Sequence, residues 1–477
     1  MVVCPMYEPP SEAEGFKPAG SGWVHLAGRQ HEVQYFRSCR DVGSGHCCDF
    51  VLVGHDCFRN RPHGLYCDLR TGAEYQDNPF RFALLSLAAL EAPLVLAAPG
   101  GGDYGERLLF LANDWQASLV PVYLAHRYRP SAVYVDARAV YVVHNLGYQG
   151  QYSVDPRSLA STLGLDSHAI RDAELGGCLN LSKAALLCAD RVITVSPNYA
   201  HETCTREGGS GLDEFVRRQA AVGRLAGIRN GIDDSWNPEV DPHIARNYGR
   251  RDFLPARREC KAALQRALGL DEEPQAAVLG FVGRLAYQKG VDILGRVVQW
   301  LVCDAAVGIG SHVQLVMMGD GEAPHSKMLH WAERSFPGRV CGLVGFDPVL
   351  EHLMMAGCDL VLVPSRYEPC GLPQLVAQAY GALPVVSATG GLLDSVRGAE
   401  EGLALATGFL VPHPVGEAGL RHTLRQALQA FFIHPEQFQQ MQRNAMARDF
   451  SWPRAVAEYQ NQIDLTLNEP PHCQRQR

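Results

Sequence analysis

The sequence predicts an α/β protein with two to three domains, built on doubly wound parallel sheets. The main observation is that short apolar runs, each ending at a polar residue, proline or glycine, alternate with segments of about one helix length. The clearest case lies within Asp359–Val396, where Leu360–Val363 and Leu383–Val386 flank an amphipathic segment. Length is the second observation, because 477 residues are too many for one compact core.

Composition excludes several classes of function. With 47% apolar and 20% charged residues the chain can bury a core, and a net charge of −8 argues against nucleic-acid or acidic-membrane partners. No apolar run approaches the roughly 20 residues that cross a bilayer. The 15 cysteines are scattered, and the adjacent pair Cys47-Cys48 lacks the CxxC spacing of a zinc site. We therefore expect a reducing compartment, and the start MVVCP shows no signal or transit pattern.

The first part of the chain predicts strands followed by helices. Apolar positions alternate over Trp23–Phe58, and a helix is expected after Asp77 or Asn78, either of which can serve as N-cap. The run Leu108–Leu124 predicts a buried strand and then a helix. Asp114 ends that strand, so its carboxylate either points into a ligand crevice or only caps the helix that follows.

A histidine and two cations mark further strand ends. Ala139–Gly150 predicts a strand that runs out at His144, and a lone histidine at such a place is either a core residue or a ligand contact. In Ala277–Leu294 the strand is expected to end at Phe281, and Gly283 then clears space. Arg284 and Lys289 follow across a loop that enters a helix. Two fixed cations beside a helix N-terminus suit a pyrophosphate, although an isolated pair of this spacing is usually solvated.

Two loops of the Asp359–Val396 stretch fall beyond the carboxyl ends of predicted strands, where doubly wound sheets bind ligands. The first loop carries a single carboxylate, Glu368, and then Cys370-Gly371 at the mouth of a helix, whose free N–H groups favour an anion. The second loop is Thr389-Gly390-Gly391, in which the absence of side chains lets backbone approach a ligand closely.

These motifs resemble the starch and glycogen synthases, which are retaining glycosyltransferases of the GT-B type with two Rossmann-like domains facing a central cleft. The matching stretches are PSRYEPCGL, YGALPVV, TGGLLDSV, VHNLGYQG, GRLAYQKGVD and NGID. Further stretches, HEVQYF and DFVLVGHDCF, resemble paired strands of these enzymes. The match weakens around Leu163–Gly177, and Gln116 stands where a histidine is usual. The family's first strand and its Lys-x-Gly-Gly-Leu loop are expected upstream of Val2.

The resemblance implies a role for each candidate residue. Glu368, His144 and Asp114 are expected to be catalytic, and Tyr66 either contacts sugar or is a surface tyrosine beside a turn. The residues expected to bind the donor are Gly283, Arg284, Lys289, Asn230, Cys370, Gly371, Thr389, Gly390 and Gly391. The resemblance also implies that no metal or other cofactor takes part.

The implied reaction is transfer of glucose from ADP-glucose to an α-1,4-glucan, most similar to that of the soluble class I starch synthases of plants and green algae. The implied compartment is the plastid, with other starch-synthesis enzymes as candidate partners. We expect an N-terminal domain over residues 1–255, a donor domain over 256–450, and a crossing helix with a disordered tail over 451–477. The alternative is a catalytically silent or truncated homologue that binds glucan or a synthase complex.

Overall fold

The computed structural model describes residues 1–472 except 12–13, 44–46, 60, 62–63, 69–72, 99–100, 154–155, 305–312, 400–401 and 403–404. The last five residues of the predicted disordered tail therefore lie outside the described residues. The chain divides into two compact units. The first comprises Met1–Thr194, Glu202–Ala226 and Gln460–Arg477, and the second comprises Val195–His201 and Gly227–Tyr459.

The strands up to residue 227 of the described chain form three sheets. They are β1 (Val2–Pro5), β2 (Lys17–Leu26), β3 (Arg29–Asp41), β4 (Cys47–Gly54), β5 (Leu109–Asn113), β6 (Arg138–Val143), β7 (Gln151–Tyr152), β8 (Glu174–Leu175), β9 (Cys178–Asn180), β10 (Arg191–Thr194) and β11 (Leu225–Gly227). The α-helices of the same stretch are α1 (Asn78–Val95), α2 (Leu119–Tyr123), α3 (Pro156–Thr162), α4 (Ser167–Ala173), α5 (Leu181–Cys188), α6 (Pro197–Thr203) and α7 (Asp213–Ala221).

The first sheet has the strand order β1-β4-β3-β2 and confirms the strands expected over residues 23–58. Strands β3 and β4 are antiparallel, with Tyr35 opposite Val53, so the two segments expected to pair do so. Side chains of β2 alternate between exposed and buried from Trp23 to Leu26. This alternation is typical of an antiparallel sheet with one face on the core.

The second sheet has the order β11-β10-β6-β5, and β6 runs parallel to both β5 and β10. Every residue of β6 and β10 is buried, as expected for central parallel strands. Strand β5 differs from the expected buried strand, because it lies at the edge of the described sheet and Leu111 is 44% exposed. A small antiparallel sheet with the order β7-β9-β8 completes these strands.

The second unit is built on six parallel strands in the order β14-β13-β12-β15-β16-β17. Their bounds are β12 (Ala277–Val282), β13 (Val313–Gly319), β14 (Val340–Val344), β15 (Leu360–Val363), β16 (Leu383–Ser387) and β17 (Phe409–Val411). The described α-helices from residue 253 onward are α8 (Phe253–Ala267), α9 (Val291–Cys303), α10 (Ala323–Ser335), α11 (Pro348–Gly357), α12 (Pro373–Ala379), α13 (Gly390–Ser395), α14 (Glu417–Ile433), α15 (Pro435–Met446) and α16 (Trp452–Asn468).

Helices cover both faces of this sheet. Alternate residues of β12 enter two different apolar clusters: Leu279 packs with α9, α10, α14 and α15, whereas Val278 packs with α8, α11 and α12. This arrangement confirms the predicted doubly wound class. Strand order reverses between β12 and β15, so the crevice in which such sheets bind ligands lies beyond the carboxyl ends of these two strands.

The polar segment from Pro238 to Arg258 belongs to the second unit. The carboxylate of Asp241 is fully buried, accepts a hydrogen bond from Tyr380 at 2.5 Å and lies 2.7 Å from Nδ1 of His352. Because a buried carboxylate is stable only with such partners, Asp241 fixes this segment to the sheet. No described helix combines the length and apolar character that a bilayer span needs.

Candidate active site

The loops after β12 and β15 meet at the strand-order reversal of the second unit. Lys289 ends a short 3-10 turn that begins at Tyr287, and its ammonium lies 2.6 Å from Oε2 of Glu368. The hydroxyl of Ser365 donates to the same oxygen at 2.9 Å. The Glu368 side chain is 6% exposed and that of Lys289 19%. The structure therefore pairs two residues predicted from separate motifs, and the alternative of a solvated cation does not hold for Lys289.

Arg284 reaches the same group through an amide that sequence reasoning missed. Its guanidinium donates to Oε1 of Gln288 at 2.9 Å, and Nε2 of Gln288 donates to the Tyr367 carbonyl at 3.2 Å. The carbonyl of Gln288 in turn accepts the Arg366 N–H at 2.8 Å. Gln288 is 7% exposed, so it connects the loop of the cations to the loop of the carboxylate.

A second ion pair fixes the carboxylate loop from its other side. Arg366 forms a two-pronged contact with Asp292 of α9, at 2.7 and 2.9 Å, and its guanidinium lies 3.5 Å from the ring centroid of Tyr287. The hydrogen bonds from Arg366 hold the pKa of Asp292 below its usual value, although burial opposes them. The Asp292–Arg366 pair was not predicted, since no local pattern links residues so far apart.

Two glycines let backbone pack closely against the loop after β12 and at its end. Gly290 has φ +69°, and a Cβ atom there would lie 2.0 Å from the carbonyl oxygen of Pro364. A Cβ atom at Gly319 would lie 2.0 Å from the carbonyl oxygen of Gly283. The nearest atom to a Cβ atom built on Gly283 itself would be in the Phe281 ring, 3.8 Å away. Side chains are thus excluded at Gly290 and Gly319 by close packing of backbone.

The glycine-rich loop after β16 packs on the Glu368 loop. The N–H of Gly391 donates to the Glu368 carbonyl at 3.0 Å, and a Cβ atom at Gly391 would lie 2.6 Å from Cα of Cys370. Thr389 precedes α13, and Gly390 has φ +48°. Gly391 therefore allows two loops to pack closely, and its N–H is hydrogen-bonded to the Glu368 carbonyl.

Cys370 and Gly371 sit where α12 begins. Gly371 has φ +72°, and the amide of Gln374 donates to the carbonyls of Cys370 at 3.0 Å and Gly371 at 2.9 Å. Burial raises the pKa of the Cys370 thiol to about 11, while a backbone hydrogen bond from Asn230 opposes this rise. The thiol is consequently protonated at neutral pH, and the structure brings the predicted Asn230 to Cys370.

In the first unit, Asp114 and His144 follow neighbouring strands. Oδ1 of Asp114 accepts the N–H of His144 at 2.7 Å and that of Asn145 at 3.4 Å, and Nε2 of His144 lies 3.0 Å from Oδ1 of Asn113. Asp114 makes no side-chain cap hydrogen bond to the following turn. The carboxylate of Asp114 therefore binds the backbone just after β6 and does not cap the turn that follows Asp114.

Asp114 has an unusual backbone conformation and a shifted pKa. Its φ of +55° is rare for a residue with a side chain, and such a conformation typically costs about 1–3 kcal/mol. Burial raises the pKa of Asp114 above its usual value, although the charge of His144 and the two N–H donors oppose this rise. Strain and a perturbed pKa together are typical of functional positions.

Tyr66 lies apart from this pair, before α1. Its side chain is 47% exposed, and its ring centroid is 6.1 Å from that of Phe82. Phe82 in turn contacts Trp115, the neighbour of Asp114 in sequence, at 5.0 Å. Tyr66 is thus connected to Trp115, next to Asp114, through the ring of Phe82.

Comparisons with known proteins agree with this architecture. Residues 1–218 match the protein family described as "Starch synthase catalytic domain". Residues 265–445 match the family "Glycosyl transferases group 1". The two matched segments together leave out only the stretch between them and the end of the chain.

Curated relatives match over nearly the whole chain. Soluble starch synthase 1, chloroplastic/amyloplastic, of Solanum tuberosum is 40% identical over 94% of this chain and 69% of its own length. The protein of the same name from Oryza sativa subsp. japonica is 38% identical over 99% of this chain and 73% of its own length.

Solved structures share the fold. The catalytic domain of Starch Synthase IV from Arabidopsis thaliana, bound to ADP and acarbose, superposes with a TM-score of 0.83 at 27% identity, covering 98% of this chain and 92% of that one. Sucrose-phosphate synthase from Thermosynechococcus elongatus gives a TM-score of 0.52 at 19% identity, covering 90% and 86%, and this likeness concerns the fold alone.

Proposed function

This chain belongs to the starch synthase family of GT-B glycosyltransferases, and from that membership we propose that it transfers glucose from ADP-glucose to the non-reducing end of an α-1,4-glucan, with retention of configuration. The observation that carries the proposal is the Lys289–Glu368 pair, which lies with Arg284 at the strand-order reversal of the donor-side sheet. Cations and one buried carboxylate at this place suit a sugar diphosphate.

Each group has a distinct part in the proposed reaction. The diphosphate gains negative charge as the glycosidic bond breaks, so Arg284 and Lys289 stabilise the departing ADP. Glu368 accepts hydrogen bonds from glucose hydroxyls and favours the positive charge that develops on the sugar. Asp114 and His144 are proposed to contact the sugar as well. ADP and acarbose in the Arabidopsis thaliana relative support a nucleotide and a glucan-like ligand for this family.

The shortage of nucleophiles argues against a covalent intermediate as the route to retention. Among the described residues of these loops Glu368 is the carboxylate not paired with an arginine, and the Cys370 thiol is protonated. We therefore propose that ADP leaves and the acceptor hydroxyl attacks on the same face through an oxocarbenium-like ion pair. A covalent glycosyl-enzyme would need a free carboxylate nucleophile, whereas Glu368 already accepts from Lys289 and Ser365.

Location and further partners follow from the relatives. Their names place them in chloroplasts and amyloplasts, so we propose a plastid for this chain too. Other enzymes of starch synthesis are proposed partners on the same ground. The reaction as proposed uses no metal or other cofactor, since the two cations supply the charge that the leaving group needs.

The proposal is tested by transfer of labelled glucose from ADP-glucose to glycogen. Lys289→Met is expected to lower the turnover rate by about 10²–10³-fold, because one fixed charge at the leaving group is lost. Lys327→Met is the matched control, since Lys327 is an exposed lysine on α10 of the same unit. Equal rates for Lys289→Met and the parent would contradict the proposed role. Glycogen binding by the parent without any transfer would favour the silent homologue.

A further inference from the structure

A cluster of three metal-ligating side chains lies in the first unit, on elements that the proposed reaction does not use. His126 belongs to a π-helical turn over Leu124–Tyr128, Asp172 to α4, and Cys188 is the last residue of α5. One donor atom from each side chain lies within 4.8 Å of the other two. We propose that His126, Asp172 and Cys188 form a site for a zinc ion.

The distances between the donor atoms fit a tetrahedral ion. Nε2 of His126 is 3.5 Å from Sγ of Cys188 and 2.9 Å from Oδ2 of Asp172, and Sγ is 3.7 Å from Oδ2. Usual zinc bond lengths, joined at tetrahedral angles, give separations of about 3.4–3.6 Å. Two distances agree, and the third opens by about 0.5 Å when the ion replaces the proton shared by His126 and Asp172.

The chemistry of the donors selects the ion. A thiolate, an imidazole and one carboxylate favour zinc or a similar borderline metal over Mg²⁺ or Ca²⁺, which prefer oxygen ligands. Thiolate and carboxylate together carry a charge of −2, which the ion neutralises.

The site is open to an ion from solvent. Nδ1 of His126, the nitrogen that faces away from the ion, lies 3.9 Å from Oδ1 of Asp166, an oxygen that accepts the backbone N–H groups of His168 and Ala169. Side-chain exposures of 21% for His126 and 34% for Asp172 open a path for the ion and leave the fourth position to water.

The ammonium of Lys183 is a cation near the proposed site. The positive charge of Lys183 acts on Asp172 and therefore opposes a bound ion. Its ammonium, however, donates to the carbonyls of Arg171 at 3.1 Å and Glu174 at 2.8 Å. These bonds direct the ammonium to backbone oxygens and leave the carboxylate of Asp172 available. The assignment departs from the expectation, drawn from the sequence, that the chain holds no metal.

Cobalt substitution tests the site without any measurement of glucose transfer. The metal-free full chain is titrated with Co²⁺, and we expect one equivalent to give a thiolate-to-cobalt charge-transfer band and the intense visible bands of a tetrahedral ion. Zn²⁺ should then bleach both. Cys188→Ser should abolish the charge-transfer band and weaken binding by at least about 100-fold, since loss of an outer partner alone costs 10–100-fold.

Two further variants keep the test decisive. Asp172→Asn, at a partly exposed position that is easily tolerated, should weaken Co²⁺ binding while the charge-transfer band of the residual complex persists. Cys178→Ser is the matched control, because this cysteine of the same unit contacts the hydroxyl of Ser153 and not the cluster. Absence of a thiolate band in the parent would overturn the proposal. Equal losses in Cys178→Ser and Cys188→Ser would overturn it too.

Discussion

Replacing Glu368 by Gln removes one charge and little else. The side chain keeps its length and its contact with the Ser365 hydroxyl, but the Lys289 ammonium, 2.6 Å away, loses its counter-ion. A hydrogen bond to a charged group contributes about 1.5–3 kcal/mol to folding, and the lower end applies because the Lys289 side chain is 19% exposed. We expect the protein to stay folded while turnover falls by about 10²–10³-fold, or about 2.7–4 kcal/mol.

A second lysine–carboxylate pair on the same strand provides the control. Asp359 precedes β15 at its amino end, and its carboxylate lies 2.6 Å from the Lys261 ammonium and accepts the Val278 N–H at 2.9 Å. Both side chains of this pair are 10% exposed or less. Asp359→Asn should therefore cost about 3–5 kcal/mol of stability, more than Glu368→Gln, and leave turnover per folded molecule unchanged.

The assay compares glucose transfer at saturating ADP-glucose with thermal unfolding of the same preparations. We expect Asp359→Asn to lose more stability than Glu368→Gln, and Glu368→Gln to lose more turnover than Asp359→Asn. Equal losses of turnover in Asp359→Asn and Glu368→Gln would refute the reasoning, since activity would then follow stability alone.

Three further changes have defined outcomes. Gly290→Ala forces a Cβ atom onto the Pro364 carbonyl at positive φ, so the unfolding free energy should drop by at least about 1–2 kcal/mol in denaturant titration, and unchanged stability would contradict the packing described. Asp241→Asn tests whether Asp241 has a lowered pKa in the folded protein. Burial raises the pKa of Asp241, but hydrogen bonds, first among them the one from Tyr380, outweigh burial. They hold the pKa below its unfolded value of about 3.9. A lowered pKa in the folded state stabilises the protein above about pH 4. The unfolding free energy of the parent should therefore exceed that of Asp241→Asn fully at pH 7, and this excess should shrink below about pH 4. An excess that does not change with pH would contradict the expectation. Asp114→Asn keeps Oδ1 as acceptor and should leave the melting temperature near that of the parent while glucose transfer falls about 10²-fold, a result that a purely structural Asp114 would not give.

Local patterns were sufficient to predict two inner strands of the second unit. The apolar runs at Leu360–Val363 and Leu383–Val386 became β15 and β16 with those bounds, except that β16 extends to Ser387. Such agreement is expected, because burial on both faces of a parallel sheet needs continuous apolar runs with sharp ends. The strand that ends before Asp114 was harder to predict, since an edge position depends on the neighbours a strand finds and not on its own residues.

The contacts inside the candidate site could not be predicted from the sequence. Each motif predicted a residue and a loop, but neither the pairing of Lys289 with Glu368 nor the link through Gln288 has a local signature, because both join residues about 79 positions apart. Gln288 stands in the QKG motif as an ordinary polar residue. Only the fold buries it and gives its amide two partners.

The contacts of Glu368 limit how this protein can evolve. Its side chain binds the loop after β12, its carbonyl binds the loop after β16, and the glycines at 290 and 391 admit no larger residue. A substitution in one loop therefore changes the constraints on the other two, so the loops cannot diversify independently. Libraries that seek a new donor sugar should vary all three together, and grafting one loop from a distant homologue should give mostly misfolded protein.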